Sequence, residues 1–256
     1  MSIRGITVSV EYDDLLEITL HRAAQVLDKI VVVTTPEDHA TLAIVARVPN
    51  AVVYCTDAFY RDGAAFNKGR AIEEGLDFLG RRGWILSFDA DIVLPADFPP
   101  EHQRYKRVLY APWRRILDDP TQHGHYADPA TWRKLPRYEE TWEFAGACLL
   151  FHADAPHLGE PPWFGVTWEA AQGYDTEFFF KWPEKHRKRW DYDVLHLGRH
   201  TQNWYGRRTP KLDGTIPEKA AERAARMDRL HVDRQLTRAK YPYPNEHIQC
   251  ASSESD

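Results

Sequence analysis

The alternation of apolar and polar positions divides the chain into short strands and amphipathic helices from its first residues. Gly5–Val10 alternates with period two and is rich in β-branched side chains, which predicts a strand. Leu15–Leu27 places Leu16, Leu20, Ala23 or Ala24, and Leu27 on one helical face. Ile30–Val33 is apolar throughout, the pattern of a strand buried on both faces of a parallel sheet. Thr35-Pro36-Glu37-Asp38 predicts a helix start, with Thr35 as cap, Pro36 at the first helical position and acids in the first turn. That helix is expected to run to about Arg47. Ala51–Cys55, Asn67–Leu79 and Trp84–Phe88 then read as strand, helix and strand.

A β-α-β-α-β-α-β order implies an α/β fold: a Rossmann-like, mostly parallel sheet with right-handed crossovers and helices on both faces. In such sheets ligands collect at the carboxyl ends of the strands, which directs attention to Glu11, Thr34, Asp57 and Asp89 to Asp91. Beyond Asp97 the alternation stops. Arg107–Ala111 and Phe144–Phe151 predict strands, separated by a polar stretch over 118–138 whose length marks a functional or mobile loop. Asp175–Lys181 predicts a helix, Tyr192–Leu197 a strand and Pro217–Ala239 a long charged helix, with 241–256 a frayed end. The expected division is a catalytic domain over 1–210 followed by a charged helix and tail over 211–256. Within the domain, 1–97 is the donor-binding half and 98–210 the acceptor-binding half.

Composition narrows the class. In 256 residues, 43% are hydrophobic and 28% charged, enough to bury a core. The longest apolar runs are strand-length, so no membrane anchor is expected. Met1–Val10 lacks signal-peptide character, and the expected compartment is the cytoplasm. Three cysteines without Cys-x-x-Cys spacing exclude a disulfide framework and a zinc knuckle, and Cys55 and Cys148 read as core residues. The net charge of −5 is uneven: residues 1–177 carry 17 Lys and Arg against 27 Asp and Glu, residues 178–240 carry 16 against 8. A basic segment behind an acidic body suggests an anionic partner, or else a solvated helix. With Trp182, Trp190 and Trp204 interleaved, it could track DNA and stack on bases.

Four local patterns carry chemistry. Asp89-Ala90-Asp91 directly follows a predicted buried strand, where two carboxylates spaced i, i+2 can converge on a hard cation such as Mn²⁺ or Mg²⁺. The same tripeptide also serves as a capping turn. Asn67-Lys68-Gly69-Arg70 opens a helix whose N-terminus and basic side chains suit a diphosphate. Asp175-Thr176-Glu177 leads an aromatic helix, where an acid can cap the helix and serve as general base on a hydroxyl. His196-Leu197-Gly198-Arg199-His200 ends the last strand, placing a histidine, His196 or His200, where it could complete a metal site. His123 and His125 lie in the polar stretch and read as exposed or acceptor-side, since no cysteine or carboxylate spacing supports zinc.

The order Phe66-Asn67-Lys68-Gly69, Asp89-Ala90-Asp91, Gly146, Asp175-Thr176-Glu177-Phe178, His196-Leu197-Gly198 resembles GT-A glycosyltransferases of the broad family-2 type, over roughly residues 5–205. The resemblance implies transfer of a sugar from a nucleoside diphosphate sugar, UDP foremost, to an acceptor hydroxyl with inversion. It implies donor contacts from Glu11, Thr34, Asp57, Asn67, Lys68 and Asp89, and a metal held by Asp89, Asp91 and His196. Asp175 would be the base, with Glu177 its rival. The chain departs from that pattern where Val33-Thr34-Thr35-Pro36 replaces the usual Asp-Asp-Gly-Ser, and where Tyr174 precedes Asp175. A nucleotidyltransferase shares the sheet and the carboxylate-held metal, but needs a glycine-rich loop after the first strand, where Glu11-Tyr12-Asp13-Asp14 stands here. A nucleotide-sugar or glycan-binding module without activity is the non-enzymatic alternative. The acceptor is left open between a hydroxymethylated base in DNA, a glycan and a small molecule.

Overall fold

The structure, a computed structural model, describes residues 2–99, 104–138, 146–198, 203–226 and 228. One eight-stranded mixed sheet runs through the molecule: β1 (Ile3–Val8), β2 (Lys29–Thr34), β3 (Ala51–Cys55), β4 (Trp84–Phe88), β5 (Ile92–Val93), β6 (Leu109–Leu117), β7 (Cys148–His152) and β8 (Arg187–Leu197). Their spatial order is β3-β2-β1-β4-β7-β6-β8-β5. The strands from β3 to β4 are parallel, as the repeated β-α pattern requires. β7 enters antiparallel to both β4 and β6, β6 and β8 are parallel, and β5 pairs antiparallel with β8.

Alternation along the strands builds two cores. Ile6, Val31, Val33 and Ile85 face α3 (Lys68–Leu79) and α5 (Tyr174–Phe180), while Ile30, Val32, Leu86 and Phe88 face α1 (Asp13–Val26) and α2 (His39–Val45). Leu16, Leu20, Ala23 and Leu27 are all buried on the α1 side, as their spacing predicts. α3 lies unusually close to the sheet because Gly75 meets it: a Cβ there would stand 2.4 Å from Val33 Cγ2. Burial of both sheet faces is the main stabilising term, since apolar burial contributes about 25 cal/mol per Å².

Several expectations change. The cap of α2 is Asp38 rather than Thr35: its carboxylate accepts from the Thr41 amide (3.1 Å) and hydroxyl (2.8 Å), which leaves Thr35 and Pro36 in the preceding turn and ends the helix at Val45. β6 and β8 are longer than their hydrophobic patterns indicate, because their pairing register, interrupted by a bulge between Ala111 and Trp113, carries charged residues into the sheet. The polar stretch 118–138 holds a 3₁₀ turn (Pro120–Tyr126) and α4 (Pro129–Trp132), started by Asp119 and Asp128 caps. Cys55 is exposed on β3, while Cys148 is buried as expected. Of the helix expected over 217–239, residues 218–219 form a turn and 220–226 and 228 are helical, while 227, 229–239, Cys250 and the tail lie outside the described residues. Among the described residues no helix is long and apolar enough to cross a membrane.

The α5 side closes on an aromatic cluster. Phe178 is fully buried and stacks on Phe164 (centroids 4.0 Å apart, planes 3° apart), with Phe151 and Trp182 at 4.8 Å. Phe178→Ala should therefore cost about 3–5 kcal/mol, the range for truncating a buried aromatic. Urea unfolding followed by circular dichroism checks this as a lower midpoint with an unchanged slope.

Candidate active site

The Asp89-Ala90-Asp91 turn is fixed from four directions. The Asp89 amide donates to Ala147 O (2.9 Å), the Ile92 amide to Asp89 O (3.1 Å), the Leu197 amide to Asp91 O (2.9 Å), and the buried Thr19 hydroxyl to Ala90 O (2.6 Å). α1, β7 and β8 thus meet at the carboxyl end of β4, and the two carboxylates leave the turn with little freedom.

Asp89 faces α3, where its Oδ1 accepts from Lys68 Nζ. Asn67 caps this helix: its Oδ1 accepts from the Arg70 amide (2.9 Å) and its Nδ2 donates to Val166 O (2.7 Å). Gly69 lets the helix approach the loop before α5, since a Cβ there would stand 1.9 Å from Gly165 O. Lys68 Nζ also lies 5.2 Å from the centroid of the Tyr174 ring. Burial pulls the Lys68 ammonium toward neutrality, but Asp89 and the Tyr174 hydroxyl outweigh it and hold its pKa well above the ordinary value.

Asp175 opens α5. Its Oδ2 accepts from the Gly146 amide (2.9 Å) and its Oδ1 from the Thr176 amide (3.0 Å). Gly146 is required there, because a Cβ would stand 2.2 Å from Asp175 Oδ2. Burial, with Asp89 adding repulsion and Lys68 opposing, raises the Asp175 carboxyl above the ordinary carboxylate range. Glu177, its rival, is exposed and accepts from the Trp168 indole (2.7 Å). Only Asp175 of the two stands among the charged groups of Asp89 and Lys68.

Asp91 faces β8. Its Oδ2 lies 3.6 Å from His196 Nε2, and His196 Nδ1 lies 2.8 Å from Gly198 O. A carbonyl partner at Nδ1 places the ring proton there, which leaves the Nε2 lone pair directed toward Asp91. Asp91 Oδ1 is buried with no hydrogen-bond partner. Burial lifts the Asp91 carboxyl above its ordinary value, His196 pulls it back, and Asp89 raises it further. An orphaned carboxylate oxygen beside an imidazole lone pair is a donor set that fits a divalent cation. Among the described residues no three His, Cys, Asp or Glu surround one point. Mg²⁺-type sites commonly use one or two protein ligands and complete their shell with water and substrate phosphate.

Two site residues have no motif. Arg114 on β6 is buried, and its guanidinium is disfavoured by that burial while Asp89, Asp91 and Asp175 favour it. Tyr12 ends the turn after β1; burial raises its phenol, as does the charge of Asp91. The remaining expected donor contacts sit elsewhere. Thr34 is buried and donates to Asp38 Oδ2 (3.2 Å). Asp57 is exposed and paired with Arg61, which lowers its pKa, and Arg70 reaches Asp62 at 2.9 Å. Glu11 is bound by Arg223. His123 Nδ1 donates to Pro120 O (3.1 Å) in its 3₁₀ turn, His125 is exposed, and His200 lies outside the described residues.

Among the described residues, Trp182 and Trp190 of the basic segment do not form a stacking track. Trp182 and Trp190 are fully buried, so they cannot stack on bases, and Trp204 alone of the three is exposed. Arg207, Lys211 and Arg223 point inward to Asp14, Asp13 and Glu11. Three cations of the basic segment are thereby paired with acids that follow β1.

The fold has known counterparts. Staphylococcus aureus TarS, a GT-A glycosyltransferase, superposes with a TM-score of 0.51 at 11% identity, covering 77% of this chain and 37% of that one. The fold is of the GT-A type. Glucosyl-3-phosphoglycerate synthase from Mycobacterium tuberculosis, solved with Mn²⁺ and UDP-glucose, gives 0.47 at 14% identity over 78% of this chain and 73% of that one. The 4-diphosphocytidyl-2C-methyl-D-erythritol synthase of Anaerococcus prevotii gives 0.44 at 14% identity, over 90% and 96%. No family model matches the sequence, and no characterised sequence is similar enough to match. At these identities the GT-A resemblance establishes the fold.

The orphaned Asp91 carboxylate carries a stability consequence. Its folded pKa lies above its unfolded one, so its contribution to stability is full below the unfolded value and is lost as pH rises through the folded one. In metal-free buffer Asp91→Asn should stabilise the protein at pH 7 by about 1–3 kcal/mol, the cost of an unsatisfied buried group. The gain should shrink toward pH 3.5, where the wild-type carboxyl is increasingly protonated in both states. Paired urea titrations at the two pH values measure it; a wild type that is the more stable at pH 7 contradicts this reading.

Proposed function

We propose that this chain is a metal-dependent glycosyltransferase that moves a sugar from a nucleoside diphosphate sugar to an acceptor hydroxyl with inversion. The observation that carries the reading is the convergence, at one end of β4, of a raised carboxyl on Asp175 with the Asp89–Lys68 pair and the Asp91–His196 pair.

In this reading Asp91 and His196 hold Mn²⁺ or Mg²⁺, which when bound would neutralise charge on the departing diphosphate. Lys68 and Arg114 add fixed positive charge at the same edge, and Asp89, paired with Lys68 through Oδ1, faces the donor with its second oxygen. Asp175 takes the proton of the acceptor hydroxyl: a carboxyl raised above its ordinary range is a stronger base than an exposed one. Gly146 and Thr176 amides hold it in one orientation, so its proton-accepting lone pairs are aimed rather than averaged. UDP is the donor nucleotide that the motif resemblance favours. Burial of Trp182 and Trp190 withdraws support from a DNA base as acceptor, which leaves a small hydroxylated molecule or a glycan.

A panel of UDP-, GDP- and dTDP-sugars with Mn²⁺, scored for nucleotide release with and without hydroxylated acceptors, tests the reading. Chelation should abolish release, and Asp175→Asn should keep nucleotide affinity while losing transfer by roughly two to four orders of magnitude. If Glu177→Gln is the dead variant and Asp175→Asn turns over, the two residues exchange roles. An α-linked donor should yield a β-linked product by NMR; retention rules out single displacement. Binding without turnover across the panel would make the chain a nucleotide-sugar-binding module, and diphosphate release from nucleoside triphosphates would make it a nucleotidyltransferase.

A further inference from the structure

The basic segment over 178–240 divides in two. Arg207, Lys211 and Arg223 turn inward to the acids after β1, with the Arg207 guanidinium 4.9 Å from the centroid of the Tyr12 ring. The cations nearer its start turn outward. Residues 178–190 hold five Lys and Arg against one acid, Glu184. A second cationic run, Arg104-Tyr105-Lys106-Arg107, lies at the same edge of the sheet, because β6 and β8 are parallel and begin with Leu109 opposite Arg187. The segments leading into the two strands therefore emerge side by side.

Contacts join these segments into one surface. His186 Nδ1 lies 2.7 Å from Nε2 of His157, in the turn after β7, and burial with the charges of His157, Arg107 and Lys185 holds its imidazole below the ordinary value. Arg187 Nε donates to Trp182 O (2.7 Å), and its guanidinium lies 3.9 Å and 5.1 Å from the ring centroids of Phe179 and Phe180, which attaches the end of α5. Lys106 Nζ donates to Asp154, also beyond β7 (2.9 Å). Arg107 and Lys185 are exposed and Lys181 is half-buried, and none of these three makes an ion pair among the described residues. Beside them Phe180 is 43% exposed and Tyr105 is 47% exposed. On a chain whose net charge is −5, this face is opposite in sign to the whole and carries apolar surface among its cations.

We propose that this face docks the protein on an anionic lipid bilayer, with Arg107, Lys181 and Lys185 at the headgroups and the Phe180 ring entering the acyl boundary. Basic side chains around an exposed aromatic ring are the combination that holds a protein in that interface: the cations are drawn by the surface potential and the ring by burial. Two features favour a bilayer over a nucleic acid. Arg187 lies over the Phe180 ring, and Phe179 meets it with planes at 68°, so the ring is better suited to burial in an acyl layer than to stacking between bases. Trp182 and Trp190, which would suit stacking, are buried. The acidic remainder of the chain is repelled by the same surface and so orients the molecule. α5 runs from Asp175 to this face, and β8 runs from it to Leu197, whose amide binds Asp91 O. Docking therefore leaves the candidate site at the far end of both elements, turned toward water.

Co-sedimentation with vesicles tests the proposal on the full chain. Wild type should sediment at low salt with vesicles of phosphatidylcholine and phosphatidylserine in equal parts, stay in solution with phosphatidylcholine alone, and be released from the mixed vesicles as salt rises. Arg107→Gln with Lys181→Gln and Lys185→Gln should lower the partition coefficient about a hundredfold, roughly fivefold for each cation. Phe180→Ser should lower it about tenfold through lost apolar burial and leave the salt dependence unchanged. Lys134→Gln, exposed beyond the other end of β6, should bind as wild type does. The wild-type comparison of the two vesicles and of salt needs no variant, so a variant that fails to fold leaves the test intact. Equal sedimentation with both vesicles, none with the mixed ones, or a well-folded triple variant that binds as wild type does would overturn the proposal. Binding to single-stranded or duplex DNA without binding to mixed vesicles would overturn it too and make the partner a nucleic acid. The transferase reading concerns the opposite end of the sheet and stands or falls separately.

Discussion

The contact between Lys68 and Asp89 is the constraint on which the site depends. A lysine at the first position of α3 has little reason to turn inward, since burial removes its hydration and favours the neutral amine. It does so because Asp89 waits at the end of β4 and because α3 is pressed onto the sheet by its glycines. The pair offsets desolvation only while both members are present; breaking a buried ion pair from one side is strongly destabilising. The pair also sets the field around Asp175 and Asp91: Asp89 repels both neighbours, and Lys68 draws both back.

Residues 1–97 were legible because their signals are local. Period-two and fully apolar runs gave β1 to β4 within two residues at either end, and the placement of Asp89-Ala90-Asp91 at a strand end follows from that alone. Pairings that depend on distant sequence were not legible. Arg114 escaped notice because Pro112 interrupts the apolar run: the pattern stops at Ala111, while the strand bulges there and continues to Leu117. Tyr12 sits in a turn with no motif, and only the fold brings its ring to Asp91. Thr35 and Asp38 compete for the same cap, and the carboxylate prevails because it also serves Thr34 and the Glu11 amide. The charge count per segment does not show which cations are paired inside the molecule. Arg207, Lys211 and Arg223 of the basic end are complementary to three acids of the acidic body.

That self-complementarity changes how the acids after β1 are to be understood. Three carboxylates in four residues would repel a phosphate if they faced solvent. Paired with Arg207, Lys211 and Arg223, they present a nearly neutral surface whose polarity lies in oriented groups rather than in net charge. Asp13 and Asp14 also occupy the first turn of α1, where the helix dipole favours negative charge, so the pairing does not strip the helix of its terminal stabilisation.

The sequence separation of these ion pairs has a consequence for how the chain is made. Asp14 and Arg207 are 193 positions apart, and Glu11 and Arg223 are 212 apart. At a synthesis rate of 5–20 residues per second, a gap of roughly 200 residues leaves the acids of the first turn without their partners for about 10–40 s. During that interval β1 to β4 and their helices can assemble from near neighbours, whereas Glu11, Asp13, Asp14 and the Tyr12 ring must wait for the end of the chain. The order of translation therefore makes the mouth of the first strand the last part of the sheet to set, however early its residues emerge.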